Sequence, residues 1–360
     1  MDWSGGGHIV RILNLGLGAV LLLGAAAQAQ PSQPVWVGYL PVFRGLETVT
    51  ARADMTHYTH INLAFANPAP DGRIVDGDAM ACMEGGAQGD VTLAELDAAI
   101  GRVKAAGAKA LLSLGGGTIP GCSGDWAELL APERRPAVVR NLVALVDAHG
   151  LDGIDVDIEG ALLTAIDKAG NYTPFIAELG AAMRARGKLL TCATASYQGG
   201  MIPRSSVPWF DLVNVMSYDA IGPSWGSPGA EHSTFEQAQR DLALWRERGV
   251  AREKLVLGVP FYGYGFGGYR PNHAYRDILA EHGPAAANDV IGERCAGCSY
   301  VTHNGPATLA RKAALAQAEA AGVMVWEITQ DTDDAALIRA MRAAFARAAQ
   351  PDNTNSSPID

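Results

Sequence analysis

The stretch Leu151-Asp152-Gly153-Ile154-Asp155-Val156-Asp157-Ile158-Glu159 decides how this chain folds. Side chains alternate along a strand, so Ile154, Val156 and Ile158 share one face, while Asp155, Asp157 and Glu159 share the other. Such a strand needs an apolar cover on one side and a polar, enclosed space on the other. In a barrel the aliphatic set meets surrounding helices. The acidic set points inward, climbing about 6.6 Å per step toward the C-terminal mouth, which leaves Glu159 at the rim.

Seven further short apolar runs bounded by turn residues flank this one. They are VWVGYLP (35–41), THINLAFAN (59–67), KALLSLGG (109–116), LLTCATAS (189–196), DLVNVMSYDA (211–220), KLVLGVPFYGY (254–264) and GVMVWEI (322–328), with the acidic strand counted as 150–159. Between most of them lie stretches such as LAELDAAIGRVKAAG and YTPFIAELGAAMRARG, with apolar residues at helical spacing and a Gly near the end. Eight alternations of strand and helix predict an α/β fold, a (β/α)8 TIM barrel. A doubly wound open sheet is the competing architecture, and it predicts a Gly-rich phosphate loop after an early strand. Leu112-Ser113-Leu114-Gly115-Gly116-Gly117-Thr118 has the glycines but not the G-x-G-x-x-G spacing. In a barrel, Gly115 and Gly116 let the chain turn closely past a ligand.

Three carboxylates stacked in a partly desolvated interior cannot all ionise freely, because burial and like charge both raise their pKa values. Asp155 and Asp157 are expected to hold one proton between them, and Glu159 to stay protonated near neutral pH, as a general acid must. The structural alternatives are a buried hydrogen-bonded acid cluster or a divalent-metal site. Three inward acids without accompanying Asn or His are costly for stability alone.

The spacing Asp152-x-x-Asp155-x-Asp157-x-Glu159 resembles the signature of glycoside hydrolase family 18, which includes the chitinases. Ser113-Leu114-Gly115-Gly116, Met216-Ser217-Tyr218-Asp219 and Trp326 in the last strand resemble the same family, in the same order. The resemblance implies cleavage of β-1,4-linked N-acetylglucosamine polymers, with retention and without a protein nucleophile. The family is an exception to the paired-carboxylate rule, because the substrate assists. Glu159 would protonate the leaving oxygen while the sugar's 2-acetamido carbonyl attacks the anomeric carbon. Asp157 would orient the acetamido N–H and hydrogen-bond Glu159, Asp155 would poise Asp157 from below, and Asp152 would be structural. The Tyr218 hydroxyl would steady the acetamido oxygen. Asp219 would contact and distort the same sugar, and Trp326 would floor the cleavage subsite.

Sugars present apolar faces that stack on aromatic rings, which makes Tyr39, Phe65, Trp225, Tyr262 and Tyr264, at or just past strand ends, candidate substrate contacts. His57, His60, His232 and His303 show no partner pattern and receive no role. Two departures from the family stand out. The stretch 267–321 is short for relatives that carry a full α+β insertion there, so the expected cleft is shallow and open, which favours endo cleavage. Tyr264 stands where some relatives have a basic residue, which leaves open how Asp219 is held.

The chain has 360 residues, 48% hydrophobic and 18% charged, with a net charge of -10. That balance excludes a basic stripe for a nucleic-acid partner. Residues 1–29 read as a signal peptide: Arg11, an apolar run from Ile12 to Gly24, then Ala27-Gln28-Ala29. The run is short for a bilayer span, an uncleaved anchor being the alternative. Residues 30–349 are then one catalytic barrel domain with a short insertion between the seventh and eighth strands, and 350–360 a disordered tail. The expected product is an exported, periplasmic or extracellular monomer with no cofactor, no metal and no stable membrane contact. Five cysteines leave at least one thiol unpaired, and Cys192, in an apolar run, is the candidate. Cys82, Cys122, Cys295 and Cys298 could form two local bridges or cross-pair, and a metal at Cys295 and Cys298 is the sharper alternative. The same chemistry would serve an endo-β-N-acetylglucosaminidase acting on N-glycans or a peptidoglycan hydrolase. A non-catalytic sugar-binding barrel is the reading from another class, and such relatives typically lose the terminal acid that Glu159 supplies here.

Overall fold

The structure is a computed structural model that describes residues 1–6 and 33–350. The signal-peptide reading and the tail beyond 350 fall mostly outside the described residues. Contacts separate Met1–Gln33 from the compact unit that begins at Pro34, and the account below concerns the latter. Among the described residues no helix is long and apolar enough to cross a membrane.

Eight parallel strands close into a barrel: β1 (Val35–Pro41), β2 (His60–Ala66), β3 (Lys109–Gly116), β4 (Gly153–Ile158), β5 (Leu189–Thr194), β6 (Leu212–Val215), β7 (Leu255–Pro260) and β8 (Gly322–Trp326). Their order around the barrel follows the chain, and β8 pairs with β1 through Val35↔Gly322 and Gly38↔Val325. The expected (β/α)8 architecture is therefore present. Helices cover the outside, and the strands' outward faces feed the main apolar core. Ile154, Val156 and Ile158 of β4 lie in it, together with Leu142 and Val146 of the helix Arg135–His149 and Phe175 and Leu179 of the helix Tyr172–Arg184. Each fully buried side chain of this kind contributes roughly 1.5–3 kcal/mol, which makes the outward alternation of β4 a strong constraint on its register.

The inward faces form a second, smaller cluster that includes Val37, Tyr39, Ala64, Tyr218, Val256 and Met324. Register builds a polar layer within it, because Ser113 lies opposite Asp155 and Asp155 opposite Thr191. This layer fills the barrel instead of leaving a pore.

Several strand ends differ from the periodic reading. The seventh run divides: β7 stops at Pro260, and Tyr262–Phe266 starts a separate antiparallel sheet with Asn272–Ala274, Val290–Gly292 and Tyr300–Thr302, the body of the short insertion. The sixth run stops at Val215, which releases Met216 to Asp219 into the mouth of the barrel. A three-stranded sheet, Val75–Asp76, Ala79–Gly86 and Gly89–Thr92, follows β2 and has no counterpart in the sequence reading. Its last strand leads into the helix Leu93–Ala105 through a capping box between Thr92 and Glu95.

Two disulfides fasten the loops. Cys82 pairs with Cys122, joining the three-stranded sheet to the loop after β3, and Cys295 pairs with Cys298 inside the insertion. Both are the local pairings. Cys192 is free and buried, as its apolar surroundings predict.

Candidate active site

Asp155 anchors the acid column. It is fully buried and accepts from Tyr39 Oη at 2.8 Å, Ser113 Oγ at 2.7 Å, Thr191 Oγ1 at 2.6 Å and Asn214 Nδ2 at 3.5 Å. Burial raises its pKa, and the four donors oppose that rise. Asp157, one layer higher, has no such support: its Oδ1 is buried without a hydrogen-bond partner. Its pKa is pushed well above the ordinary carboxylate range, first by burial and then by the charges of Glu159 and Asp155.

Glu159 follows β4 directly in extended conformation, at the start of the helix Gly160–Lys168, and its side chain does not cap that helix. Its carboxyl is thus free to face the barrel mouth. Burial raises its pKa to about 7, the charge of Asp219 adds to the effect, and a hydrogen bond with Asp157 opposes it. The hydrogen bond between Asp157 and Glu159 stands beside the expected coupling of Asp157 to Asp155, whose charge also raises the Asp157 pKa. The lone pairs of Asp155 are taken by four neutral donors, whereas Asp157 has two charged neighbours, Glu159 and Asp155, that raise its pKa.

Two adjoining cavities meet over this column, of about 600 Å³ and about 670 Å³. Glu159, Met216, Tyr218 and Asp219 line both. One lobe is walled by Trp326, Phe65, Phe43, Asn67 and Glu84, the other by Trp225, Tyr197, Ser196 and Arg240. Glu159 therefore sits between two arms of one groove. Trp326 stacks on Phe65 at 5.7 Å with an interplanar angle of 18°, giving the first arm a flat apolar floor. Trp225, 46% exposed, stands edge-on to Tyr264 at 5.6 Å and donates from Nε1 to the Asp219 carbonyl at 2.9 Å. The backbone of the Ser113-Leu114-Gly115-Gly116 segment passes close to both acids. Gly115 lines the groove in left-handed conformation, where a Cβ would strike the Asp157 carbonyl at 2.5 Å, and a Cβ on Gly117 would lie 3.1 Å from Glu159 Oε1.

Some sequence candidates take different places. Tyr39 is buried beneath Trp326 and holds Asp155, so it cannot touch a sugar. Gly116 backs the Phe65 ring and is absent from the groove wall. Tyr262 lies behind Asp219 and donates its hydroxyl to Asp219 Oδ1, and Tyr264 faces the same carboxylate. These two tyrosines answer the question raised by the missing basic residue. Phe65, Trp225 and Trp326 are brought to the groove as expected. Phe43 and Tyr197, 46% and 59% exposed, went unnoticed in the sequence, although each stands only two or three residues past a strand end.

The Glycosyl hydrolases family 18 model matches residues 35–331, from the first barrel strand to just past the last. The chain belongs to glycosyl hydrolase family 18. This family 18 chain is similar to a chitinase from the chitin utilization locus of Flavobacterium johnsoniae. The two share 29% identity and a TM-score of 0.72, over 90% of this chain and 99% of that one. It is 25% identical to a class V chitinase of Arabidopsis thaliana, over 66% of this chain and 73% of the plant protein. It is also 31% identical to a chitinase-like mite allergen of Dermatophagoides farinae over 43% of this chain, spanning only 33% of the mite protein's length.

In chemical terms the family 18 site offers one proton donor tuned near neutrality, a second carboxyl bonded to it, and a buried phenol. Tyr218 sits beside Asp157 and Glu159 with its hydroxyl directed toward Met324 Sδ at 3.8 Å, a weak partner that a better acceptor can replace.

Proposed function

We propose that this chain is an exported endo-acting chitinase that cleaves β-1,4 bonds between N-acetylglucosamine units with retention, assisted by the substrate's own acetamido group. The observation that carries this reading is the placement of Glu159 midway along the groove, between its two arms and beside Asp157 and Tyr218, with burial raising its pKa to about 7. A donor poised there serves catalysis at neutral pH. No second carboxylate is needed as nucleophile when the sugar supplies one.

In this reading Glu159 gives its proton to the glycosidic oxygen. The acetamido carbonyl oxygen bonds to the anomeric carbon as the leaving sugar departs, forming an oxazolinium ion. Asp157 orients and compensates the acetamido N–H, and the Tyr218 hydroxyl donates to the acetamido oxygen as charge develops on that group. Glu159 then takes a proton from the water that opens the ring, which restores the acid. The two arms of the groove support attack within a chain. The similarity to chitinases of Flavobacterium johnsoniae and Arabidopsis thaliana supports chitin as the polymer.

Product analysis on chitin oligomers, a high-mannose glycoprotein and peptidoglycan, run in parallel, tests the assignment. Turnover confined to chitin oligomers is the expected result. Preference for the glycoprotein or peptidoglycan would move the assignment to an endo-β-N-acetylglucosaminidase or a cell-wall hydrolase, and intact oligomers throughout would leave a sugar-binding barrel.

A further inference from the structure

Among the described residues, His232 is the histidine that reaches Asp219, and its setting is unusual. Its side chain is fully buried, yet neither ring nitrogen has a hydrogen-bond partner among the described residues. Leaving a buried polar ring unpaired is costly. Asp219 Oδ1 lies 3.7 Å from Nδ1, just beyond bonding range. The ring cannot drift away, because Tyr262 and Tyr264 enclose it at centroid distances of 5.2 and 5.3 Å.

The backbone at this point is pinned as well. His232 N donates to Thr302 Oγ1 at 3.2 Å, and its carbonyl accepts from Ala220 N at 3.0 Å. The next residue, Ser233, accepts from Lys312 Nζ through its carbonyl at 3.0 Å and through Oγ at 2.6 Å. A rigid segment therefore aims one donor at the back of Asp219. The front of that carboxylate lines both arms of the groove. Asp219 itself has φ 62, a left-handed conformation uncommon for a residue with a Cβ.

We infer that His232 is a positioning residue for Asp219: its Nδ1–H closes on Oδ1 when a sugar is seated. The carboxylate is then gripped between an imidazole and the Tyr262 hydroxyl while its other edge meets the substrate. The imidazole does this as a neutral donor. Burial lowers its pKa, Asp219 and the Tyr262 backbone pull the other way, and the Lys312 ammonium adds to the effect of burial. The inference deepens the proposed reaction and rests on it only for its kinetic arm. It also explains how a chain with Tyr264 at the place of a basic residue keeps Asp219 in position: neutral donors do the work of one cation.

Two measurements test it. In uniformly ¹⁵N-labelled wild-type protein, His232 is expected as a neutral Nδ1–H tautomer. An Nε2–H tautomer, which would turn a lone pair toward Asp219, overturns the inference whether or not any substrate is cleaved. In kinetics on a chitin oligomer, His232→Leu is expected to lower kcat about 10-fold, the size of a lost bond to a charged group, with KM changed less than about twofold. His232→Asn, whose amide nitrogen lies near the position of Nδ1, is expected to recover most of the loss. Unchanged kcat in a folded His232→Leu protein, or an Asn variant as impaired as Leu, defeats the inference. If His232→Leu does not fold, the Asn variant and the tautomer decide. Wild-type protein that cleaves no oligomer defeats the proposed function instead, and the tautomer still decides the role of His232.

Discussion

The Tyr39 hydroxyl on β1 donates to Asp155 Oδ2 on β4 at 2.8 Å, spanning the barrel interior beneath the groove. It is one of four donors that saturate Asp155, and the height of the whole acid column depends on that base. Tyr39→Phe leaves a buried acceptor one partner short. Unfolding in urea is expected to show a loss of about 1–3 kcal/mol. A variant as stable as wild type would mean that Asp155 does not depend on this bond.

Glu159→Gln removes the proton donor and nothing else of comparable size. Its kcat on chitin oligomers is expected to fall by at least about 100- to 1,000-fold, the usual scale of a general-acid contribution, with the circular dichroism spectrum retained. Full activity would refute the assignment of the acid.

The same residue sets the pH dependence of the rate and of stability. Glu159 must be protonated to act, so kcat/KM is expected to decline as pH rises through about 7. For stability, its folded pKa of about 7 lies above the ordinary value of 4.5. The stability it contributes is therefore fully present below about 4.5 and is lost as pH rises through about 7. Glu159→Gln is free of that loss. The difference in Tm, variant minus wild type, should grow more positive between pH 5 and pH 8, by roughly 1–3 °C. A constant difference would show that Glu159 ionises alike in both states.

Chitin oligomers stripped of their acetyl groups carry no internal nucleophile. They are expected to bind in the groove but not to be cleaved. Comparable turnover of glucosamine and N-acetylglucosamine oligomers, measured by product chromatography, would exclude assistance by the substrate.

Trp225 stands in the arm away from Trp326 and touches no acid side chain. Trp225→Ala is expected to raise KM for long oligomers about 3- to 10-fold, the worth of one aromatic stacking contact, with much less effect on the shortest cleavable substrate. An equal rise for both would place Trp225 at the point of cleavage.

The barrel was legible in the sequence because the outward faces of its strands and the inward faces of its helices must repeat their apolar residues at fixed periods. The acid column was legible for the same reason, since alternation in β4 can put Asp155, Asp157 and Glu159 only on one side. Positions set by loops were not. Tyr262 lies just beyond Pro260, where one strand ends and another sheet begins, so its run could not say whether the ring faces sugar or Asp219. His232 lies in a loop with no periodicity, and only the folded insertion brings it behind Asp219. The contrast between a saturated Asp155 and an unsupported Asp157 escaped too, because it depends on which carboxylate finds donors. Asp155 finds them on β1, β3, β5 and β6, none of them adjacent to it in sequence.

The Cys82–Cys122 bridge sits beside Glu84 and Pro120, which wall one arm of the groove, while every group that touches the proton hangs on the barrel strands or their immediate ends. Cytosolic thiol pools reduce such a bridge, and oxidising compartments preserve it. Protein harvested from a reducing host would thus keep its chemical machinery and lose a rivet in its grip on polymer. Two batches of one polypeptide could agree on a short chromogenic substrate and disagree on chitin.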